Sequence, residues 1–144
     1  MPQANDAELT ELYTASPGLD VEDNEPNTGP PAGPPTNTFD LHLEAVAGNV
    51  IGNGGANYQL RIDCIDESLA ARNGNMSPGT LNQAFDAVNG WQAGGAAGNF
   101  RKEQVLPINV DPAARGHVLR YVASLVSVNG DLVSFIESNK FILV

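Results

Sequence analysis

The C-terminal stretch HVLRYVASLVSVNGDLVSFIESNKFILV, residues 117–144, constrains the fold more than any other part of the chain. Two runs of alternating Val, Leu, Ile, Phe and Tyr flank Asn129-Gly130. Asn-Gly accepts the positive φ that both central residues of a type I′ turn require, so the stretch reads as an antiparallel hairpin. Centring the pairing on that turn sets Val126 opposite Val133, Ser124 opposite Phe135, Val122 opposite Glu137 and Val118 opposite Phe141 on one sheet face. The other face then carries Leu125 with Ser134, Ala123 with Ile136, Tyr121 with Ser138 and Leu119 with Lys140. Sheets with one wet face alternate cleanly, and this hairpin is substantially apolar on both. Two readings follow: a central place in a sandwich whose outer face is lightly apolar, or a second face covered by another segment or subunit.

Upstream the same period recurs. TFDLHLEAV turns Phe39, Leu41, Leu43 and Ala45 inward and Asp40, His42 and Glu44 outward. NYQLRIDCID turns Tyr58, Leu60, Ile62 and Cys64 inward, which makes Cys64 a small hydrophobe rather than a nucleophile. FRKEQVLPINV is a strand whose Pro107 points to an edge or bulge. SPGTLNQAFDAVNG reads as a short helix, with Ser77 as cap, Pro78 at its first position and Leu81, Phe85 and Val88 on one face. The expected class is all-β, an antiparallel β-sandwich with one short inserted helix. Its expected core includes Leu41, Leu43, Leu60, Ile62, Val118, Val122 and Phe141.

Charge is unevenly placed. Of the net charge of −10, residues 1–36 contribute seven acids and no Lys or Arg, while 37–144 hold ten acids and seven bases. The division expected is an acidic, Pro/Gly-rich, extended N-terminal arm (1–36) and a β-sandwich domain (37–144). Within the arm, DAELTELY reads as a helical turn or two with Leu9, Leu12 and Tyr13 on one side. GPPAGPPTNT has the composition of a polyproline II linker. Nucleic-acid binding is disfavoured, because phosphate neutralisation needs clustered Lys and Arg. No apolar run is long enough for a membrane span, and the opening residues lack the features of a classical signal peptide. The single cysteine rules out an intrachain disulfide.

The piece RYVASLVSVNGDLVSFIESNKFIL resembles the last two strands of a fibronectin type III or related immunoglobulin-like sandwich. Tyr121, Ala123, Leu125, Asn129, Gly130, Ser134 and Ser138 carry the resemblance. It implies a sandwich architecture and no catalytic residues, since such folds host many functions. Trp91, placed after the expected helix, departs from that pattern.

Catalytic and metal motifs are missing from the residues themselves. Cys and His do not fall at zinc-ligand spacing, no serine sits in a nucleophile elbow, and Gly52-Asn53-Gly54-Gly55 lacks the lysine of a phosphate loop. The expectation is therefore a non-enzymatic structural or interaction subunit, without cofactor: a β-sandwich building block of a larger homo-oligomeric or filamentous assembly, whose N-terminal arm docks on a neighbour and whose partner is a protein, self-association included. Leu9, Leu12 and Tyr13 of the arm, with Leu119, Tyr121 and Ile136 of the hairpin's second face, are the expected partner contacts. The alternative is a carbohydrate- or calcium-binding module. It would use the Gly/Asn-rich loops 48–56 and 90–99, Trp91 and the carboxylates Asp63, Asp66 and Glu67.

Overall fold

Among the described residues, alternation at a period of two gives ten strands, and every pairing between them is antiparallel. The computed structural model describes residues 7–26, 37–48, 56–85, 92–93, 99–127 and 132–144. In chain order the strands are β1 (Ala7–Ala15), β2 (Thr38–Gly48), β3 (Ala56–Asp66), β4 (Ala71–Asn73), β5 (Gly79–Phe85), β6 (Gln92–Ala93), β7 (Asn99–Asn109), β8 (Val118–Ser127), β9 (Leu132–Glu137) and β10 (Phe141–Ile142). One sheet has four strands in the order β1-β2-β7-β6. The other has six, β10-β8-β3-β4, with β5 also on β3 and β9 also on β8. The two pack face to face as a β-sandwich, and among the described residues no helix is long and apolar enough to cross a membrane.

The inward residues of β2 and β3 fill the space between the sheets. Phe39, Leu41, Leu60, Ile62 and Cys64 are all at most 1% exposed. Three rings lock the centre. Tyr121 stacks on Phe141 with centroids 5.5 Å apart, and Phe39 tilts against both. The Tyr121 hydroxyl donates to the Met76 carbonyl at 2.8 Å, which satisfies the one polar atom that burial of a tyrosine strands.

The hairpin pairs as expected over Val122–Glu137, Ala123–Ile136, Ser124–Phe135 and Leu125–Ser134. Asn129-Gly130 lies outside the described residues. The core face is a correction: Leu119, Tyr121, Ala123 and Leu125 are buried, while Val118 and Val122 are only half-buried on the outer face. Phe141 reaches the core because the ladder slips. Ser138 leaves the regular pairing, its Oγ accepts the Tyr121 N–H at 2.8 Å, and Phe141 comes to lie opposite Leu119 rather than Val118. The cover over the second face is thus the chain's own first sheet.

Two further elements differ from expectation. The segment expected as a short helix is strand β5, paired along β3, and the helical content nearby is a 3-10 turn at Gly74–Met76. Ser77 does not cap a helix: its Oγ donates to the Asn73 carbonyl at 2.6 Å and accepts the Cys64 N–H at 2.8 Å. Gly79, at φ +79°, then turns the chain into β5, a conformation that suits glycine. Val88 and Trp91 lie outside the described residues.

The segment read as an arm helix is strand β1. It pairs with β2, and one residue near Thr10 is bulged out of register between Leu9 and Glu11. The bulge puts Leu9 and Leu12, three apart, on the same inward side. That spacing mimics a helix in the sequence. Residues 16–26 then fold back beside β1, with Asp23 N–H donating to the Thr14 carbonyl and Ile142 N–H to the Asn24 carbonyl.

On the far side of the first sheet, β6 pairs with Phe100 and Arg101 of β7. Pro107 sits beyond it, opposite Asp40 in an unbroken register with β2. A proline in a paired strand is tolerated when its missing donor faces away from the partner strand.

Candidate functional site: an acidic groove with an aromatic floor

The outer face of the first sheet is assembled in rows, because adjacent strands in register place outward residues side by side. One row is Tyr13, His42 and Val105; the next is Glu11, Glu44 and Glu103. Three carboxylates therefore stand abreast on three neighbouring strands. Like charges directly opposite one another destabilise a sheet.

The ring row is built more tightly. Tyr13 and His42 stack with centroids 4.8 Å apart and planes 8° from parallel. Each ring also ties down the loop after β1. The Tyr13 hydroxyl donates to the Asp20 carbonyl at 3.0 Å, and His42 Nε2 lies 2.9 Å from the Leu19 carbonyl. A carbonyl only accepts, so His42 Nε2 carries the proton. Gly18 N–H donates to Asp40 Oδ2 at 2.8 Å and completes the strap. The strap turns Asp20 and Glu22 toward the rings.

An open groove of about 730 Å³ results. Tyr13, His42 and Val105 contribute its aromatic and apolar part, with Ile136 of β9 at one side. Glu11, Asp20, Glu22, Glu103 and Glu137 line the rest. The field of these groups converges on Tyr13. Burial raises its phenol above the usual 10.0, and the charges of Glu11, Asp20, Glu103 and Glu22 push it the same way.

Little positive charge answers them. Arg101 lies 2.7 Å from Glu103 and 3.5 Å from Glu44, whose other oxygen takes the Thr10 hydroxyl at 2.9 Å. Glu137 pairs with Arg120, and Glu22 accepts the Asn139 amide. Among the described residues no cation pairs with Glu11 or Asp20. Chemically, the groove offers a ring pair for a flat or cationic group and carboxylates for its charge.

The expected partner contacts divide between two places. Tyr13 and Ile136 meet at the groove. Leu9, Leu12, Leu119 and Tyr121 are buried in the chain's own core, the least buried being Leu9 at 7% exposed. His42, Glu11 and Glu103 in the groove, and Glu44 in the row beside it, were not expected. Alternation does place His42 and Glu44 outward, but only the β1–β2–β7 register makes them neighbours of Glu11 and Glu103.

The carboxylates considered for calcium already have partners. Asp63 sits between Arg61 and Arg72 at 2.8 and 2.6 Å. Asp66, 2% exposed, holds His117 at 2.6 Å and accepts the Leu69 N–H. Glu67 faces Lys140 at 2.9 Å and Arg120 at 2.8 Å. The Arg120 Nε contact is ionic rather than a hydrogen bond, because Nε is poorly aligned. Among the described residues no group of three or more His, Cys, Asp or Glu is placed to hold a metal ion. Cys64 is buried, and burial pushes its thiol up to about 12, too high for a thiolate nucleophile at neutral pH. The alternative's loops fall largely outside the described residues, with Trp91 among them. No protein-family model matches this sequence, and no curated protein matches it.

Proposed function

We propose that this chain is a non-enzymatic interaction subunit whose groove takes a cationic segment of a protein partner. The observation that carries the reading is the Glu11–Glu44–Glu103 row beside the stacked Tyr13–His42 pair. Like charges side by side cost a sheet stability, so a row of three carboxylates answered by one close arginine, Arg101, is a place where local stability has been given up. An Arg or Lys side chain laid over the rings relieves that repulsion. It also gains a cation–π contact at the ring face. Charged lining of this kind steers a basic partner toward the site and makes the encounter salt-dependent. The immunoglobulin-like or fibronectin-type reading of the sandwich accompanies this proposal. It is supported by the paired β8–β9 hairpin and by the buried Tyr121 of β8.

The test is a titration of the full chain with a fluorescently labelled hexa-arginine peptide, with hexa-glutamate as control. The arginine peptide should bind, and binding should weaken as salt rises. The Glu11→Gln/Glu103→Gln double variant should lose about tenfold in affinity, equivalent to ~1.4 kcal/mol. Equal binding of both peptides, or an unchanged affinity in the double variant, rejects the groove as the site.

A further inference from the structure

We propose that the cationic partner of the groove is a second copy of this chain, docked through the outer face of its six-stranded sheet. The inference rests on the groove reading above and names the partner that the groove takes.

The first observation is charge. On and beside the outer face of the six-stranded sheet, Arg61, Arg72, Arg120 and Lys140 stand with Asp63, Glu67 and Glu137, four cations to three carboxylates. Asp63 alone serves both Arg61 and Arg72. A positive charge is therefore left over where those two side chains meet solvent, 54% and 45% exposed. On the groove side, Glu11, Glu44, Glu103, Asp20 and Glu22 face Arg101, five to one among the described residues. The two sides of one molecule are complementary in sign.

The second observation is where apolar surface stays uncovered. Among the described residues nine large hydrophobic side chains are exposed, and six of them fall in two clusters. Leu19 and Val21 of the strap flank the groove, and Val105 lies in it. Leu132, Val133 and Phe135 follow one another along β9, beside the half-buried Val122 and Val126 of β8. Phe135 is 53% exposed, and its row across the sheet runs through Ser124 to Arg61. Apolar side chains scattered singly over a surface are ordinary, whereas neighbouring ones rimmed by charge mark an interaction site.

Each surface thus joins an apolar part to a charged part, and the charges are opposite. Neighbouring strands lie ~4.8 Å apart, so Phe135 and Arg61, two strands apart, are separated by about 10 Å at the backbone. Glu11 and Glu103 are also two strands apart. A copy that lays Phe135 on the ring row brings Arg61 and Arg72 within side-chain reach of the acid row. There the guanidiniums gain charge-assisted hydrogen bonds to carboxylates that lack cations of their own. Groove and face are different sets of residues, so the contact is heterologous. Each pair keeps one groove and one face unused, and further copies add until a ring closes or the ends stay open.

Sedimentation velocity on the full chain and two variants makes the test, with the labelled hexa-arginine peptide as a separate probe. The unaltered chain should grow in mass with concentration and return to monomer as salt rises. The face variant Arg61→Gln/Phe135→Thr and the groove variant Glu11→Gln/Glu103→Gln should each lose about tenfold or more in self-association. Mixed, they should form a one-to-one pair that grows no further, because one supplies an intact groove and the other an intact face. The face variant should bind hexa-arginine as the unaltered chain does, which also shows that it is folded. A chain that is monomeric at every concentration yet binds hexa-arginine overturns the second copy as partner. The groove reading then stands, with a different basic protein as its occupant. Self-association that survives in either variant, or a mixture that never pairs, overturns the inference too. Failure of hexa-arginine to bind removes the groove reading and this inference with it.

Discussion

The two outer faces of the sandwich handle charge in opposite ways. On the six-stranded sheet, acids and bases interleave. Asp63 lies between two arginines, and Glu67 and Glu137 share Arg120, with Lys140 alongside. On the four-stranded sheet, three carboxylates stand abreast and Arg101 is their one close cation among the described residues. Composition alone hides this, because the body of the chain is nearly balanced, with ten acids to seven bases. The contrast teaches that net charge per domain is a poor guide to a site. What marks the groove is where the counter-charges were not placed.

The scale against which both faces are judged is the core they share. Phe141→Ala removes a ring that packs on Phe39 of one sheet and Tyr121 of the other. It should cost ~3–5 kcal/mol in urea denaturation, the range for large-to-small core changes. A loss below about 1 kcal/mol would mean that the sheets are not joined through this ring cluster.

The faces themselves should respond with opposite signs. Asp63→Asn breaks two ion pairs whose arginines are about half exposed and should destabilise by about 0.2–1 kcal/mol after allowance for solvent screening. Glu11→Gln removes one member of a like-charge row and should stabilise by a few tenths of a kcal/mol, up to ~1. If both variants move stability in the same direction, the contrast between the faces fails.

Acid should show the same asymmetry. Burial alone would raise the Asp63 carboxyl, but hydrogen bonds from Arg72 and Arg61 outweigh it and hold the group below its ordinary 3.8. A depressed carboxylate adds stability above its unfolded value and loses it as pH falls through the lower folded one. The Asp63 contribution should therefore begin to decline below about pH 4, the unfolded carboxylate range, be lost as pH falls through the lower folded value, and be absent at every pH in Asp63→Asn. Urea melts of the two proteins at pH 2 to 6 should converge at the acid end.

The smallest effect is spectroscopic. The Tyr13 phenol titrates above 10.0, with burial as the main cause and Glu11, Asp20, Glu103 and Glu22 adding to it. In Glu11→Gln/Glu103→Gln its midpoint, followed by ring-resonance NMR, should fall toward the ordinary value while staying above it. An unmoved midpoint would show that the row does not act on the ring.

Much of the sandwich was legible because alternation survives wherever one face of a strand is buried. The inward residues of β2 and β3 were read correctly, although β2 runs on to Gly48 and β3 starts at Ala56, and four pairs of the β8–β9 hairpin were read correctly too. The failures share a cause: a single residue that breaks the period. The β1 bulge turned Leu9 and Leu12 into a helical spacing. Ser138 slipped Phe141 onto the other face and inverted the choice of core for β8. Ser77-Pro78 carried a capping signature, yet its hydroxyl serves β3 and the 3-10 turn. The groove was half-legible. Tyr13 was singled out as an apolar anchor of the arm and Ile136 as part of the hairpin's second face expected to receive it. The acid row was not, because it depends on pairing β1 with β2 and β2 with β7, strands far apart in sequence.

Pro107 bears on how large an assembly of this chain can grow. A strand laid along the open side of β7 would meet a position with no hydrogen to give, so the ladder would break there. Sheet-by-sheet stacking along that edge is discouraged, and with it the route by which edge strands run on into fibrils. A copy laid against this side of β7 would have to be held at that position by side chains rather than by a continued ladder.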